Sequence, residues 1–242
     1  MKVNPFLFVL SLALLTPTGS AHAQQSSAVQ VGTGTERPLV MITFFDPFDG
    51  STVNNSKFVA EGLKIKLKES YDIELCNIPV IYDHEFDVAK ECIKNLSRAP
   101  HLIISMGEGG PCTQVSLETL TQNLDSTDMA DNANVTHLDQ TIIPGEPRSK
   151  AISFLDSDIQ GILQDIPEIQ LSHDMGNYVC NNIAFHMVTY LESLAAPKIS
   201  YTFIHVPSNQ CDDGLSVDGA STAIAKLLSS PAAIALTAGT AK

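Results

Sequence analysis

The clearest pattern along the chain is a set of short, unbroken apolar runs, each stopped by a loop rich in turn residues. PLVMITF (38–44) closes on DPFDG (46–50), HLIISMG (101–107) runs into GEGGPC (107–112), and ISYTFIHVP (199–207) stops at Pro207. Runs of this kind, apolar over most positions without a strict alternation, predict strands buried on both faces. YDIELCNIPVIY (71–82) is strand-like with an interruption at Pro79, and IQLS (169–172) is a shorter strand.

Between them the apolar period lengthens to that of a helix. Residues 55–68 repeat Val59, Leu63 and Leu67, with Asn55 or Ser56 available as a cap. Val88, Cys92 and Leu96 share a stripe in 87–96, which reads Cys92 as a core residue. Residues 157–164 and 216–228 are helical, and Ile183, Met187 and Leu191 mark a helix over 183–191 that begins near Val179 or Cys180.

Strands alternating with helices point to βαβ units. The expected fold is a single-domain, three-layer α/β/α arrangement around a mostly parallel mixed sheet, spanning 37–230. A chain of 242 residues suits one sizeable core. Residues 121–150 are polar and without period, and are expected to be a long excursion rather than a second domain. The Ala/Thr-rich end, 231–242, is expected to be a disordered tail.

The first residues change the picture of where this domain works. Lys2, an apolar run from Phe6 to Leu15 too short to span a bilayer, and the small-x-small triplet Ala21, His22, Ala23 read as a signal peptide over 1–23, followed by a polar leader over 24–36. The expectation is an exported protein, periplasmic or secreted. The formal net charge of −13 disfavours nucleic acid and anionic membrane surfaces as partners and leaves small molecules, peptides or proteins.

Five cysteines, Cys76, Cys92, Cys112, Cys180 and Cys211, show no metal-ligand spacing. If one stays free, three pairings of the others are open, as is a fully reduced chain. Cys180 stands apart because it falls at a helix N-terminus, where unpaired N–H groups and the macrodipole favour a thiolate. A nucleophilic cysteine needs a base. His205, at the end of an apolar strand, is the best-placed candidate, with His173 as runner-up. His84 and His137 fall in polar loops, His186 on a helix surface, and His101 opens a strand at the opposite edge. Ligands of open α/β sheets bind beyond the carboxyl ends of the strands, which singles out the loops 45–54, 107–118, 172–180 and 205–213.

These loops carry four motifs in order. Thr43, Phe45, Pro47, Phe48, Gly50, Val53, Asn54 and Ser56 form the first. Gly107, Gly110, Val115, Ser116, Glu118 and Asn123 form the second, Ser172, Gly176, Tyr178, Cys180 and Asn181 the third, and Ile204, His205, Val206 and Pro207 the fourth. In this the chain resembles pyroglutamyl peptidase I, the pyrrolidone-carboxylate peptidase family of cysteine peptidases, from about residue 38 to 230. The resemblance implies hydrolysis of the amide bond after an N-terminal pyroglutamyl residue, through a thioester and without a cofactor. Cys180 would be the nucleophile, His205 the base and Glu118 the group that orients it. Phe45, Phe48, Asn54 and Val179 would bind the substrate, a peptide or protein with an N-terminal pyroglutamate. Homo-oligomers would be compatible with it.

The chain departs from the family pattern at several points. Glu108, Pro111 and Cys112 replace Gln, Gly and Arg, Phe44 and Asp49 replace glycines, Met175 replaces Ala, and Asp128 stands where an Arg near the cysteine is usual. A carboxylate beside the thiol would disfavour the thiolate. The alternative is therefore a catalytically idle relative that binds pyroglutamyl ends or small lactams.

Overall fold

The computed structural model describes residues 36–154, 157–195 and 198–237. The expected signal peptide, and the leader apart from Glu36, lie outside the described residues. The strands are β1 (Leu39–Phe45), β2 (Asp72–Ile78), β3 (Leu102–Glu108), β4 (Val115–Glu118), β5 (Leu120–Gln122), β6 (Ser149–Ala151), β7 (Ile169–Ser172) and β8 (Ser200–Val206). The helices are α1 (Asn55–Lys66), α2 (His84–Asn95), α3 (Ser157–Leu163), α4 (Val179–Ser193), α5 (Val217–Leu228) and α6 (Pro231–Thr237).

Six strands form one sheet in the order β2-β1-β3-β8-β4-β7. The first four are mutually parallel, whereas β4 runs antiparallel to β8 and parallel to β7. This is the mostly parallel mixed sheet expected from the alternating pattern. Every residue of β1 is buried. Because successive side chains leave opposite faces of a strand, Val40, Ile42 and Phe44 join a core with α1, α3 and α5, while Met41 and Phe45 join another with α2 and α4.

Several local expectations are corrected. Asn54, rather than Asn55 or Ser56, caps α1, its side chain accepting from Ser56 N at 3.1 Å. The strand over 71–82 ends at Ile78, ahead of Pro79, which has no N–H for a ladder. α2 starts at His84, released by Asp83 in the left-handed region at φ 63°.

β4 was not anticipated, and the excursion over 121–150 is less irregular than expected. It contributes to the β5–β6 pair and carries an Asp125–Gln140 bridge. Asp131 fastens it by accepting from Ala133 N, Val135 N and Tyr82 N. The segment expected to be a disordered tail instead forms α6, opened by Ser230 and Pro231, with Ala233 fully buried. Residues 238–242 lie outside the described residues.

The cysteines resolve into two disulfides, Cys76–Cys92 and Cys112–Cys211, leaving Cys180 free. Cys92 thus packs on the helical stripe, as its period implied, and also ties α2 to β2. Cys112–Cys211 joins the loop after β3 to the loop after β8.

Candidate active site

Four chain segments converge where β1, β3 and β8 end and α4 begins. Ser172 and Asp174 form a turn in which Asp174 Oδ1 accepts from Gly176 N at 3.0 Å, and Gly176 takes φ 77°, a conformation that favours glycine. The turn delivers the chain to Tyr178, the N-cap of α4, which offers no side-chain cap. The first bonds of α4 run from Asn181 N and Asn182 N to Tyr178 O, so the N–H groups of Val179 and Cys180 stand outside the helical ladder.

Asn181 locks this start in place. Fully buried, it accepts from Thr121 Oγ1 at 2.9 Å and Gln122 N at 2.8 Å and donates to Gln122 O and Leu124 O, both at 2.9 Å. All its hydrogen-bonding capacity is spent holding Cys180's helix against the β5 segment. Its place beside Cys180 in the third motif was the only sequence sign of this role.

His205 is buried on β8, and β4 lies directly beside it, with Ser116 opposite His205 in the antiparallel register. That pairing puts Glu118, 1% exposed, at 2.8 Å from His205 Nδ1 through Oε1. His205 also comes close to Cys180, both packing around Gly107. Burial by itself would lower the proton affinity of His205. The neighbouring Cys180 and the bond to Glu118 outweigh that cost and push it well above the ordinary histidine value.

Glycines make room for this contact. A Cβ at Gly107 would fall 2.7 Å from Cys180 Sγ and 3.3 Å from His205 Cδ2, and one at Gly109 would fall 3.1 Å from His205 Cδ2. Gly110 turns the chain at φ 74°.

Beside the sulfur is a pocket of about 270 Å³ lined by Phe45, Phe48, Asn54, Val80, Tyr178 and Val179 together with Glu108 and Cys180. All four residues expected to bind substrate are therefore brought together. Tyr178 holds the pocket wall through an edge contact to Tyr82 and a hydrogen bond to Ala130 O. Asn54 is occupied by the fold: Oδ1 accepts from Ser56 N and Oγ, and Nδ2 donates to Asp46 O. Ser56 Oγ in turn accepts from Phe45 N at 3.2 Å, so Asn54 fixes the phenylalanine loop.

Glu108, noted as a departure, ties three loops by accepting from Asn55 N at 2.6 Å, Asn209 N at 2.7 Å and Ser208 Oγ at 3.0 Å. These three donors are matched to a carboxylate. Asp128 is not among the residues that line the cleft, although its neighbours Thr127 and Met129 are.

Four other histidines among the described residues are engaged elsewhere. His173 contacts Thr119, His137 bonds Asp125 and stacks on Tyr82, His186 bonds Asp83, and His101 accepts from Leu39 N. Neither they nor His84 line the pocket or the cleft around Cys180.

The family model described as pyroglutamyl peptidase matches residues 39–238. The pyrrolidone-carboxylate peptidase of Bacillus thuringiensis (strain Al Hakam) is 31% identical over 170 residues, covering 69% of this chain and 77% of that protein. Pyrrolidone-carboxylate peptidase 2 of Caldanaerobacter subterraneus subsp. tengcongensis is 28% identical, covering 69% and 80%. Among solved structures, pyroglutamyl peptidase I from Bacillus amyloliquefaciens superposes with a TM-score of 0.70 at 24% identity, over 79% of this chain and 93% of that one. The pyrrolidone carboxyl peptidase of Fervidobacterium islandicum gives 0.68 at 20% identity, over 79% and 96%. The fold is shared with these structures, and the chain belongs to the pyroglutamyl peptidase family, cysteine peptidases that remove N-terminal pyroglutamate.

Proposed function

We propose that this chain is an exported exopeptidase that hydrolyses the amide bond after an N-terminal pyroglutamyl residue, with Cys180, His205 and Glu118 as its catalytic groups. The observation that carries the reading is the juxtaposition of Glu118, His205 and Cys180 beside an aromatic pocket. A pyrrolidone ring is flat and neutral, with one donor and one acceptor on its edge. Phe45 and Phe48 supply apolar walls of that kind, and Val179, next to Cys180 in the chain, lines the same pocket.

The sulfur of Cys180 attacks the pyroglutamyl carbonyl carbon, and the N–H of Cys180 stabilises the oxyanion. His205, held as a cation between Cys180 and Glu118, gives its proton to the departing amine, leaving a thioester. It then takes a proton from water, whose oxygen displaces the sulfur and releases pyroglutamate.

Two disulfides support an oxidising compartment, in keeping with the signal-like N-terminus. Peptides and proteins with a pyroglutamyl end are the proposed partners, and the acidic surface disfavours nucleic acid and anionic membrane. No helix among the described residues is long and apolar enough to cross a membrane.

The test is a pair of peptides identical except for the first residue, pyroglutamate in one and uncyclised glutamine in the other, followed by mass spectrometry. Loss of pyroglutamate from the first and an intact second is the expected result. A rise in melting temperature with the pyroglutamyl peptide, but no cleavage, would instead identify an idle binder.

A further inference from the structure

Beyond the sulfur, the small pocket opens into a cleft of about 950 Å³ that includes Cys180, His205 and Glu118 in its lining. If the ring occupies the aromatic pocket, as the proposed function requires, the residue that follows pyroglutamate lies in this cleft. Its walls combine two features. Met129, Met175 and Phe48 give it an apolar side. Its charged lining consists of Glu108, Glu118, Asp174 and His205, with no Lys or Arg.

The three carboxylates differ in availability. Glu108 is committed to Asn55, Ser208 and Asn209, and Glu118 is buried against His205. Asp174 is exposed, and only its Oδ1 is used, by Gly176 N. A long side chain with an aliphatic stem and a cationic head matches thioether walls beside an open carboxylate. From this lining we infer that the enzyme favours Arg or Lys after pyroglutamate, and that Asp174 is the residue that sets the preference. The inference rests on the proposed peptidase activity and specifies its substrate class.

The test compares kcat/KM for pyroglutamyl-Arg, pyroglutamyl-Ala and pyroglutamyl-Glu amides in the parent protein at low and high salt, with the released amine measured by liquid chromatography. At low salt Arg should exceed Ala by about threefold to fivefold, as expected for one exposed charge pair, and the advantage should shrink as salt is added. Asp174→Asn retains an oxygen for Gly176 N and so preserves the turn. In it the Arg-to-Ala ratio should fall towards one. Equal rates for all three amides, or a ratio unchanged in Asp174→Asn, would overturn the preference while leaving the peptidase reading intact. Cleavage of none of them would remove that reading, and the preference with it.

Discussion

Among single residues, Glu85 stands out because the proposed chemistry does not use it. It is fully buried at the start of α2, and neither carboxylate oxygen has a hydrogen-bond partner. Burial outweighs the lowering effect of the backbone at Glu85 and, with Asp83 and Asp125 nearby, pushes its pKa up to about 10. The sign follows from linkage. A raised value means that the folded protein holds a proton the unfolded chain releases above about 4.5, so the stability it carries is present below that value and is lost as pH rises towards 10. By pH 7 the loss is of order 3 kcal/mol. Glu85→Gln removes the titration, so its melting temperature relative to the parent should climb between pH 5 and pH 9. Parallel melting curves across that range would show that Glu85 does not titrate in this way. Nothing in the sequence marked Glu85, which reads as an ordinary first-turn acid. Cys180 and His205 were legible because each ends or begins a strongly patterned element. The spent hydrogen bonds of Asn54 and Asn181 were not, because they depend on partners far along the chain.

The elements show the same division. β1, β3, β8 and α4 declare themselves by long apolar runs, and those are the elements whose ends carry the site. β4 has only four residues, two of them polar, and its burial comes from lying between β8 and β7. Local pattern therefore cannot reveal it, although it is what carries Glu118 to His205. The loops at these ends are held by the Cys112–Cys211 disulfide and by Leu215 N donating to Cys112 O at 2.8 Å. The bridge spans 99 residues of sequence, and closing a loop of that length stabilises by about 4 to 5 kcal/mol in the chain-entropy account. Replacing both cysteines with Ser should lower the denaturant midpoint accordingly. An unchanged midpoint would mean that the bridge places no constraint on the unfolded chain.

For the molecule as a whole, the layout follows from a sheet buried on both faces, which leaves only its edges and strand ends for chemistry. The parallel strands bring Phe45, Gly107 and His205 to one end, and the reversal at β4 adds Glu118 from the neighbouring position. The disulfide pairing was beyond the sequence, since it depends on which loops the topology brings together. The departures from the family pattern also become readable only in three dimensions. Glu108 binds loops together, Cys112 forms a bridge, and Asp128 stands outside the lining of the site. The central claim is that Cys180 is the nucleophile of a working peptidase. It is tested most directly by the hydrolysis of a pyroglutamyl-coumarin amide by the parent protein and by Cys180→Ala under the same conditions. The parent should turn the substrate over and Cys180→Ala should show no activity above background, whereas equal turnover by both proteins would contradict the account.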